Sequence, residues 1–198
     1  QGRAAVSLQL VGAHQLPNAL AAAAAATAVN VSIDTTAAAL STAEASSKWR
    51  MEMHEEAGLL LINDAYNANP ESTSAALRTL ALLAQESGGV TWAFLGKMHE
   101  LGESSAQDHA EIGKLAREIG IDHLVSVGTD MYLASSDEAD PDNGDETAMH
   151  SFATRDEALS LVSHFSVGDV VLVKASRAEG FEILAENILT TWSEGRGE

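Results

Sequence analysis

The sequence predicts an α/β fold, a mostly parallel sheet with helices on both faces. After about residue 47, short apolar segments alternate with amphipathic helical segments, as in chains that build a parallel sheet from strand–helix units. The apolar segments are hydrophobic throughout rather than alternating, which is typical of strands covered on both faces. The length of 198 residues allows one large domain, or one domain with part of another.

The first 46 residues are predicted to form a separate, smaller unit. Residues 5–11 alternate apolar and polar side chains, which indicates a half-buried strand. A turn at 12–18 leads into an alanine-rich helix that we expect to end near Asn30. Asp34 is the expected N-cap of a second short helix. The small and polar residues at 43–48 then favour a domain boundary near residue 47.

The second unit, residues 47–198, is predicted to contain four strands and four helices. The strands are expected at 58–62, 90–95, 124–127 and 169–173. Capping patterns at Asn69-Pro70, Ser105-x-x-Asp108 and Thr154-x-x-Glu157 indicate where three helices begin, and the last helix carries Phe181, Leu184, Ile188 and Trp192. The acidic run 135–147 is expected to be a solvated loop, because its spacing does not match a calcium-binding loop.

The composition excludes several classes of protein. With 29 acidic and 11 basic side chains, the net charge of −18 disfavours nucleic acids and anionic lipids as partners. The absence of cysteine excludes disulfides and thiolate metal sites, and it is compatible with a reducing cytoplasm. The longest apolar run, residues 19–26, is too short to span a membrane. The histidines lack zinc-ligand spacing, so we expect no metal site and interpret His54, His99, His109 and His123 as surface or loop residues.

Polar side chains follow two of the predicted strands at their carboxyl ends, where open α/β sheets bind ligands. A carboxylate there can accept both hydroxyls of a ribose, and an aromatic ring can lie against a base. Two cations and a hydroxyl after a buried strand favour an anion site in a chain with so few basic residues. The two groups are Asp64, Tyr66 and Asn67 after the first strand, and Lys174, Ser176 and Arg177 after the last.

Each of these residues also has a purely structural explanation that the sequence leaves open. Asn and Asp side chains in the first loop can cap turns and the next helix. Arg50, which lies just after the boundary, can donate a forked pair of hydrogen bonds to phosphate or can form an ion pair with Glu52 or Glu55. Lys174 and Arg177 have possible partners in Glu179 and Glu182.

Five segments, in order and at the expected spacing, resemble motifs of the Mur ligase family, and specifically of its D-alanyl-D-alanine-adding branch. The most specific segment resembles D-x-Y-N-A-N-P-x-S, and the others resemble G-x-H-N-x-x-N-A-L-A-A, R-M-E, L-G-D-M-x-E-L-G and V-K-G-S-R. They are 64–72, 12–22, 50–52, 95–102 and 173–177. The resemblance therefore runs through almost the whole chain.

The resemblance implies the C-terminal portion of an ATP-dependent ligase. Residues 1–46 would be the end of the central ATPase domain and residues 47–198 the Rossmann-like C-terminal domain. The enzyme would join D-alanyl-D-alanine to UDP-N-acetylmuramoyl-tripeptide through an acyl phosphate, in the cytoplasm and as a monomer. The phosphate-binding loop and the Mg ligands of the family have no counterpart in this chain, so we expect the chain alone to be inactive.

The family's site residues map onto positions of this sequence. The resemblance assigns Asn18 to the adenine, Arg50 to the phosphates, Asp64 to the ribose and Tyr66 to the border of the base. Asn67, Lys174, Ser176 and Arg177 would line the side of the incoming peptide. No residue of this chain is assigned a catalytic role.

Two positions depart from the family pattern, and other functions stay open. Gln15 replaces an asparagine, and Lys97 replaces an acidic residue, which reverses a charge. The alternatives are a MurE-like ligase, a folylpolyglutamate synthase, or a nucleotide- or peptide-binding module without catalysis. The last alternative is supported by the lack of a G-x-x-x-x-G-K-[ST] loop or a G-x-S-x-G motif in this chain.

Overall fold

The computed structural model of the chain describes residues 2–9, 15–43, 48–134 and 147–196. The chain divides into two compact units, Gln1–Lys48 and Trp49–Glu198. The start of the turn predicted at 12–18 and most of the acidic loop predicted at 135–147 lie outside the described residues. The assignment of the first unit to the end of a central domain stays a prediction.

The first unit contains two helices, α1 (Gln15–Ala28) and α2 (Ile33–Ser41). The alanine-rich helix is confirmed, although it begins within the predicted turn. The prediction that Asp34 caps α2 is wrong, because the Ser32 hydroxyl accepts the backbone N–H of Thr35 at 3.1 Å. Asp34 lies in the first turn instead, where its negative charge complements the helix dipole.

The strand predicted at 5–11 is wrong for residues 5–9, which are neither strand nor helix, while residues 10 and 11 lie outside the described residues. A strand is stable only when its backbone pairs with a neighbour. Here the backbone N–H of Ser7 donates to the hydroxyl of Ser41 at 3.2 Å instead. Alternation alone therefore does not determine a strand.

The second unit is built on a six-stranded sheet with the order β1-β2-β6-β3-β4-β5. β1 is antiparallel to β2, and all other neighbours are parallel. The predicted fold class is confirmed. The strands are β1 (Glu52–Glu56), β2 (Leu59–Asp64), β3 (Thr91–Leu95), β4 (His123–Val127), β5 (Ala148–Phe152) and β6 (Val170–Lys174).

Helices cover both faces of this sheet. α3 (Pro70–Ser87) and α4 (Ser105–Glu118) pack on one face, in a core that includes Ile62 and Leu172. α5 (Arg155–Ala158), the 3₁₀ helix Leu159–His164 and α6 (Phe181–Glu194) pack on the other, in a core that includes Leu61 and Val173. Neighbouring strand residues thus enter opposite cores, which explains the uninterrupted apolar runs. Among the described residues, no helix is both long and apolar enough to cross a bilayer.

The three predicted helix starts are confirmed, and the predicted caps are observed at two of them. Asn69 caps α3 in a capping box with Ser72, and Pro70 is the first helical residue. The Thr154 hydroxyl accepts the N–H of Glu157 at 3.3 Å, as predicted, although α5 continues as a 3₁₀ helix. At α4 the predicted start at Ser105 is confirmed, but the expected Ser105-x-x-Asp108 cap does not form. The Asp108 carboxylate accepts the hydroxyl of Ser104 at 2.7 Å rather than a backbone N–H.

The two edge strands, β1 and β5, were not predicted. β1 has the sequence Glu-Met-His-Glu-Glu and is mostly exposed, so it lacks the apolar run by which the other strands were recognised. β5 is only partly buried. An edge strand is held by backbone pairing to one neighbour, and this pairing leaves little trace in side-chain hydrophobicity.

Candidate functional site

The candidate site lies at the carboxyl edge of the sheet, around the end of β6. Register places Lys174 opposite both Asp64 of β2 and Leu95 of β3. The connection after β6 leads to α6 on one face, whereas those after β2 and β3 lead to α3 and α4 on the other. Such a divergence of connections opens a crevice at the carboxyl ends of the strands. The loops predicted to carry the site therefore meet there.

Asp64 and Lys174 form a buried ion pair at the base of this crevice. Lys174 Nζ donates to Asp64 Oδ2 at 2.5 Å and to the carbonyl oxygen of Asn67 at 2.9 Å. The Lys174 side chain is only 2% exposed. Burial lowers the pKa of Lys174, and the Asp64 carboxylate opposes that shift. Lys174 thus faces Asp64 and the backbone, not Glu179 or Glu182.

Arg50 and Tyr66 form the exposed rim above Asp64. The guanidinium carbon of Arg50 lies 4.2 Å from the centroid of the Tyr66 ring, a cation–π contact. Arg50 forms no ion pair with Glu52 or Glu55 within the described residues. The second carboxylate oxygen of Asp64, Oδ1, accepts the backbone N–H of Met51 at 3.1 Å.

Asn67 contributes to the local fold of the loop. Its side-chain oxygen accepts the N–H of Ala68 at 2.9 Å, as in a short turn. Its carbonyl oxygen accepts from Lys174, as described above. The structural explanation considered for this loop therefore applies to the Asn67 side chain.

Ser176 and Arg177 follow Lys174 in the loop after β6. The Ser176 hydroxyl accepts the backbone N–H of His99 at 2.9 Å and donates to the carbonyl of Ala68 at 3.3 Å, while Ser176 itself is buried. Arg177 is exposed, pairs with Glu182 at 2.6 Å and stacks on the Trp49 ring at 4.3 Å. The pairing of Arg177 with Glu182 was one of the structural alternatives.

The loop after β3 closes the other side of the crevice. His99 contacts the Glu179 carboxylate through Nε2, and this contact joins the β3 and β6 loops. Lys97, which reverses the family's charge, is half-buried, and its carbonyl accepts the N–H of Ser176 at 3.2 Å. Sequence reasoning missed Trp49, His99 and Glu179 as site residues. The only available signal was their position beside Arg50 or in strand-end loops.

Two histidines are not the surface residues that we predicted. His109 is fully buried on α4, where Nε2 accepts the N–H of Met98 at 2.9 Å and Nδ1 contacts the Ser105 carbonyl at 2.6 Å. Burial lowers its pKa. His123 stacks on Trp92 with ring centroids 3.7 Å apart. Both fulfil structural roles that a lone histidine in a sequence does not reveal.

Asn18 lies on α1, in the first unit. Its side-chain amide donates to Gln15 Oε1 at 3.1 Å, and the residue is exposed. Among the described residues of both units, no group of three or more histidine or acidic side chains could hold a metal ion. We therefore assign no Mg ligand to them.

Comparison with known proteins identifies the family. Residues 49–177 match the family model described as Mur ligase, glutamate ligase domain. The chain belongs to the Mur ligase family. The resemblance inferred from its motifs is confirmed, and the matched range includes both loops of the crevice.

Several relatives of this Mur ligase chain are MurF enzymes. It is 38% identical over 203 residues to the UDP-N-acetylmuramoyl-tripeptide–D-alanyl-D-alanine ligase of Mycobacterium bovis, across 94% of this chain and 40% of that protein. Crystal structure II of MurF from Acinetobacter baumannii has a TM-score of 0.79 at 31% identity, over 93% of this chain and 40% of that one. The structure of MurF ligase from Thermotoga maritima in complex with ADP shares the fold, with a TM-score of 0.74 at 24% identity over 97% of this chain and 42% of that one.

The alignments cover nearly all of this chain but less than half of each relative. It spans about 40% of the length of the curated relatives that it matches. This Mur ligase chain therefore corresponds to only part of those enzymes.

Proposed function

We propose that this chain is the C-terminal part of a cytoplasmic, monomeric ligase that joins D-alanyl-D-alanine to UDP-N-acetylmuramoyl-tripeptide in peptidoglycan synthesis. The observation that carries the proposal is the 38% identity to an enzyme of that name, which extends over 94% of this chain. The cation-bearing crevice at the carboxyl edge of the sheet supports it, because nucleotide and peptide substrates are anionic.

We assign the nucleotide side of the crevice to Arg50, Asp64 and Tyr66. Arg50 is exposed and has no carboxylate partner among the described residues, so its guanidinium is free to donate to phosphate oxygens. Tyr66 is 39% exposed and offers part of its ring to a base. Asp64 has already accepted one donor on each oxygen, so a ribose hydroxyl would use the remaining lone pairs. Asn18 is assigned to the adenine by the family resemblance alone.

We assign the peptide side of the crevice to Ser176 and Arg177, supported from behind by Lys174 and Asn67. Arg177 can bind a carboxylate if it exchanges Glu182 for the ligand, and such an exchange costs little at an exposed ion pair. Lys174 and Asn67 contact each other beneath this surface, and they hold the loop rather than the ligand.

The reaction proceeds in two steps in this proposal. The γ-phosphate of ATP is transferred to the terminal carboxylate of the UDP-linked peptide, and the amine of D-alanyl-D-alanine then displaces phosphate from the acyl phosphate. The residues of this chain contribute by positioning substrates and neutralising charge, which is the main source of rate acceleration in phosphoryl transfer. Mg and the phosphate-binding loop would be supplied by residues outside this chain.

Two measurements test the proposal. The complete ligase that carries this chain should form amide with D-alanyl-D-alanine and not with free amino acids, and Arg50→Ala should raise the KM for ATP at least tenfold. The 198-residue chain alone should show no ATP turnover. Ligation of a free amino acid would favour a MurE-like enzyme or a folylpolyglutamate synthase. ATP turnover by the isolated chain would contradict its assignment as a fragment.

A further inference from the structure

The backbone on either side of Arg50 adopts an unfavourable conformation. Trp49 has a φ of 59° and Met51 a φ of 50°, so two non-glycine residues lie in the left-handed region within three positions. Side chains other than glycine or asparagine seldom adopt this conformation, because Cβ then lies too close to the following carbonyl oxygen. Such a turn persists only where contacts with the surrounding residues hold it in place.

The left-handed turn sends its two flanking side chains into different cores. Trp49 packs against the core beside α6, whereas Met51 packs against the core beside α3. The segment thus passes over the end of the sheet with one apolar anchor on each face. Arg50, between the two anchors, is left pointing away from both cores and is exposed.

Two hydrogen bonds, one to the last residue of β2 and one to the loop after it, hold this turn. The carbonyl oxygen of Trp49 accepts the N–H of Tyr66 at 2.9 Å. The N–H of Met51 donates to Asp64 Oδ1 at 3.1 Å. These bonds lie immediately before and after Arg50, and they place its guanidinium on the ring of Tyr66.

Lys174 orients the carboxylate that makes the second of these bonds. Its ammonium binds Asp64 Oδ2 at 2.5 Å, which turns Oδ1 toward Met51. It also binds the carbonyl of Asn67 at 2.9 Å, in the same loop that carries Tyr66. One buried cation therefore connects the end of β6 to both sides of the Arg50–Tyr66 contact.

We propose that Asp64 and Lys174 are positioning residues for Arg50, because their ion pair holds the strained Trp49–Met51 turn that places the guanidinium on the Tyr66 ring for nucleotide phosphate. The phosphate role rests on the proposed function, whereas the positioning of the guanidinium does not. Lys174 then acts on the nucleotide side of the crevice through Arg50, without touching a ligand.

The position of Arg50 can be measured directly in this chain by NMR. The Nε–H resonance of Arg50 should be shifted upfield by the Tyr66 ring. The Tyr66→Leu variant gives the chemical shift of Arg50 in the absence of this ring. Lys174→Met should lose at least half of this ring-current shift. The double variant Asp64→Ala, Lys174→Met should lose it as well, and it avoids a lone buried charge and so is expected to fold.

Asp169→Asn is the matched control. Asp169 is a buried carboxylate at the other edge of the sheet, where it accepts the N–H groups of Val90, Ser166 and the Trp92 indole. Its substitution should lower stability and leave the Arg50 resonance in place. An unchanged Arg50 resonance in the folded double variant would overturn the proposal.

Kinetics of the complete ligase test the link to nucleotide binding. Lys174→Met should raise the KM for ATP at least tenfold, about 1.4 kcal/mol, with kcat at saturating ATP within threefold of the unmodified enzyme. Asp169→Asn should change neither constant when assayed below its melting temperature. A lower kcat with an unchanged KM would contradict the positioning role. Failure of the unmodified enzyme to ligate D-alanyl-D-alanine would overturn the proposed function. The NMR result would still decide whether Asp64 and Lys174 position Arg50.

Discussion

The hydroxyl of Ser176 connects two loops of the crevice. It accepts the N–H of His99 from the β3 loop and donates to the carbonyl of Ala68 from the β2 loop. Ser176 is 4% exposed, so water cannot easily replace either bond. The polar groups after β6 thus hold the neighbouring loops in place as well as lining the proposed ligand site.

We expect Ser176→Ala to lower the free energy of unfolding by about 1–3 kcal/mol, because it leaves a buried N–H without an acceptor. The control is Ser160→Ala, which removes an exposed hydroxyl bonded at 2.7 Å to the carbonyl of Glu157 and should cost less than about 0.5 kcal/mol. Urea unfolding of both variants measures the difference. Equal midpoints would show that the Ser176 hydroxyl does not hold the two loops together.

The turn of the hairpin between β1 and β2 contains an alanine in a backbone conformation that alanine disfavours. Glu56 pairs with Leu59, so the turn consists of Ala57 and Gly58 alone. Both have positive φ, 47° and 78°, as a type I′ turn requires. Glycine adopts this conformation without strain, but alanine does not.

Ala57→Asn should therefore stabilise the chain by about 1 kcal/mol, since asparagine followed by glycine is the preferred pair for this turn. The melting temperature should rise by about 2–4 °C for a chain of this size. Ala57→Val is the opposing control, because a β-branched residue tolerates positive φ poorly and should lower it. A melting temperature that falls in the asparagine variant would contradict the turn assignment.

An aromatic cluster joins three parallel strands near the amino edge of the sheet. His123 of β4 stacks on Trp92 of β3, and its Nδ1 lies 3.1 Å from Nε2 of His150 on β5. One ring nitrogen must donate and the other accept, so the contact requires that at least one of the two nitrogens be unprotonated. Protonation of both rings would place two donors and two positive charges against each other.

This cluster makes the stability of the whole chain depend on pH. Burial lowers the pKa of His123 and of His150, with further lowering from the charge of His150 on His123 and of His164 on His150, while Asp122 and Asp169 oppose it at His123. The unfolded chain, with histidine near its ordinary value of 6.5, then binds more protons below that pH than the folded chain does. Stability is therefore unaffected well above pH 6.5 and falls as the pH drops below it.

We expect the urea midpoint of the chain to decrease between pH 7.5 and pH 5, and His150→Gln to make that decrease smaller. Glutamine can still bond to His123 but carries no charge at any pH. His54→Gln, on the exposed strand β1, should leave the pH dependence as it was. A slope that is the same in the His150 variant would show that the loss arises elsewhere.

The sequence by itself determined the succession of the central strands and helices along the chain. It also showed which polar groups lie at the strand ends. A run such as 59–62 is apolar because both faces of the sheet are covered, and the Asn69-Pro70 start of α3 is encoded within a few residues. Such signals are local, so one chain carries them without its partners. The Mur ligase motifs added the family in the same way.

The tertiary structure alone decided which of these groups meet. Asp64 and Lys174 are 110 residues apart, and their contact follows from the register between β2 and β6, which no local pattern encodes. The same register makes Lys174 a buried partner of Asp64. The edge strand β1 and the left-handed turn at Arg50 likewise depend on backbone hydrogen bonds to distant segments. A sequence reveals the groups available for chemistry, but long-range backbone pairing decides which of them face a ligand and which face each other.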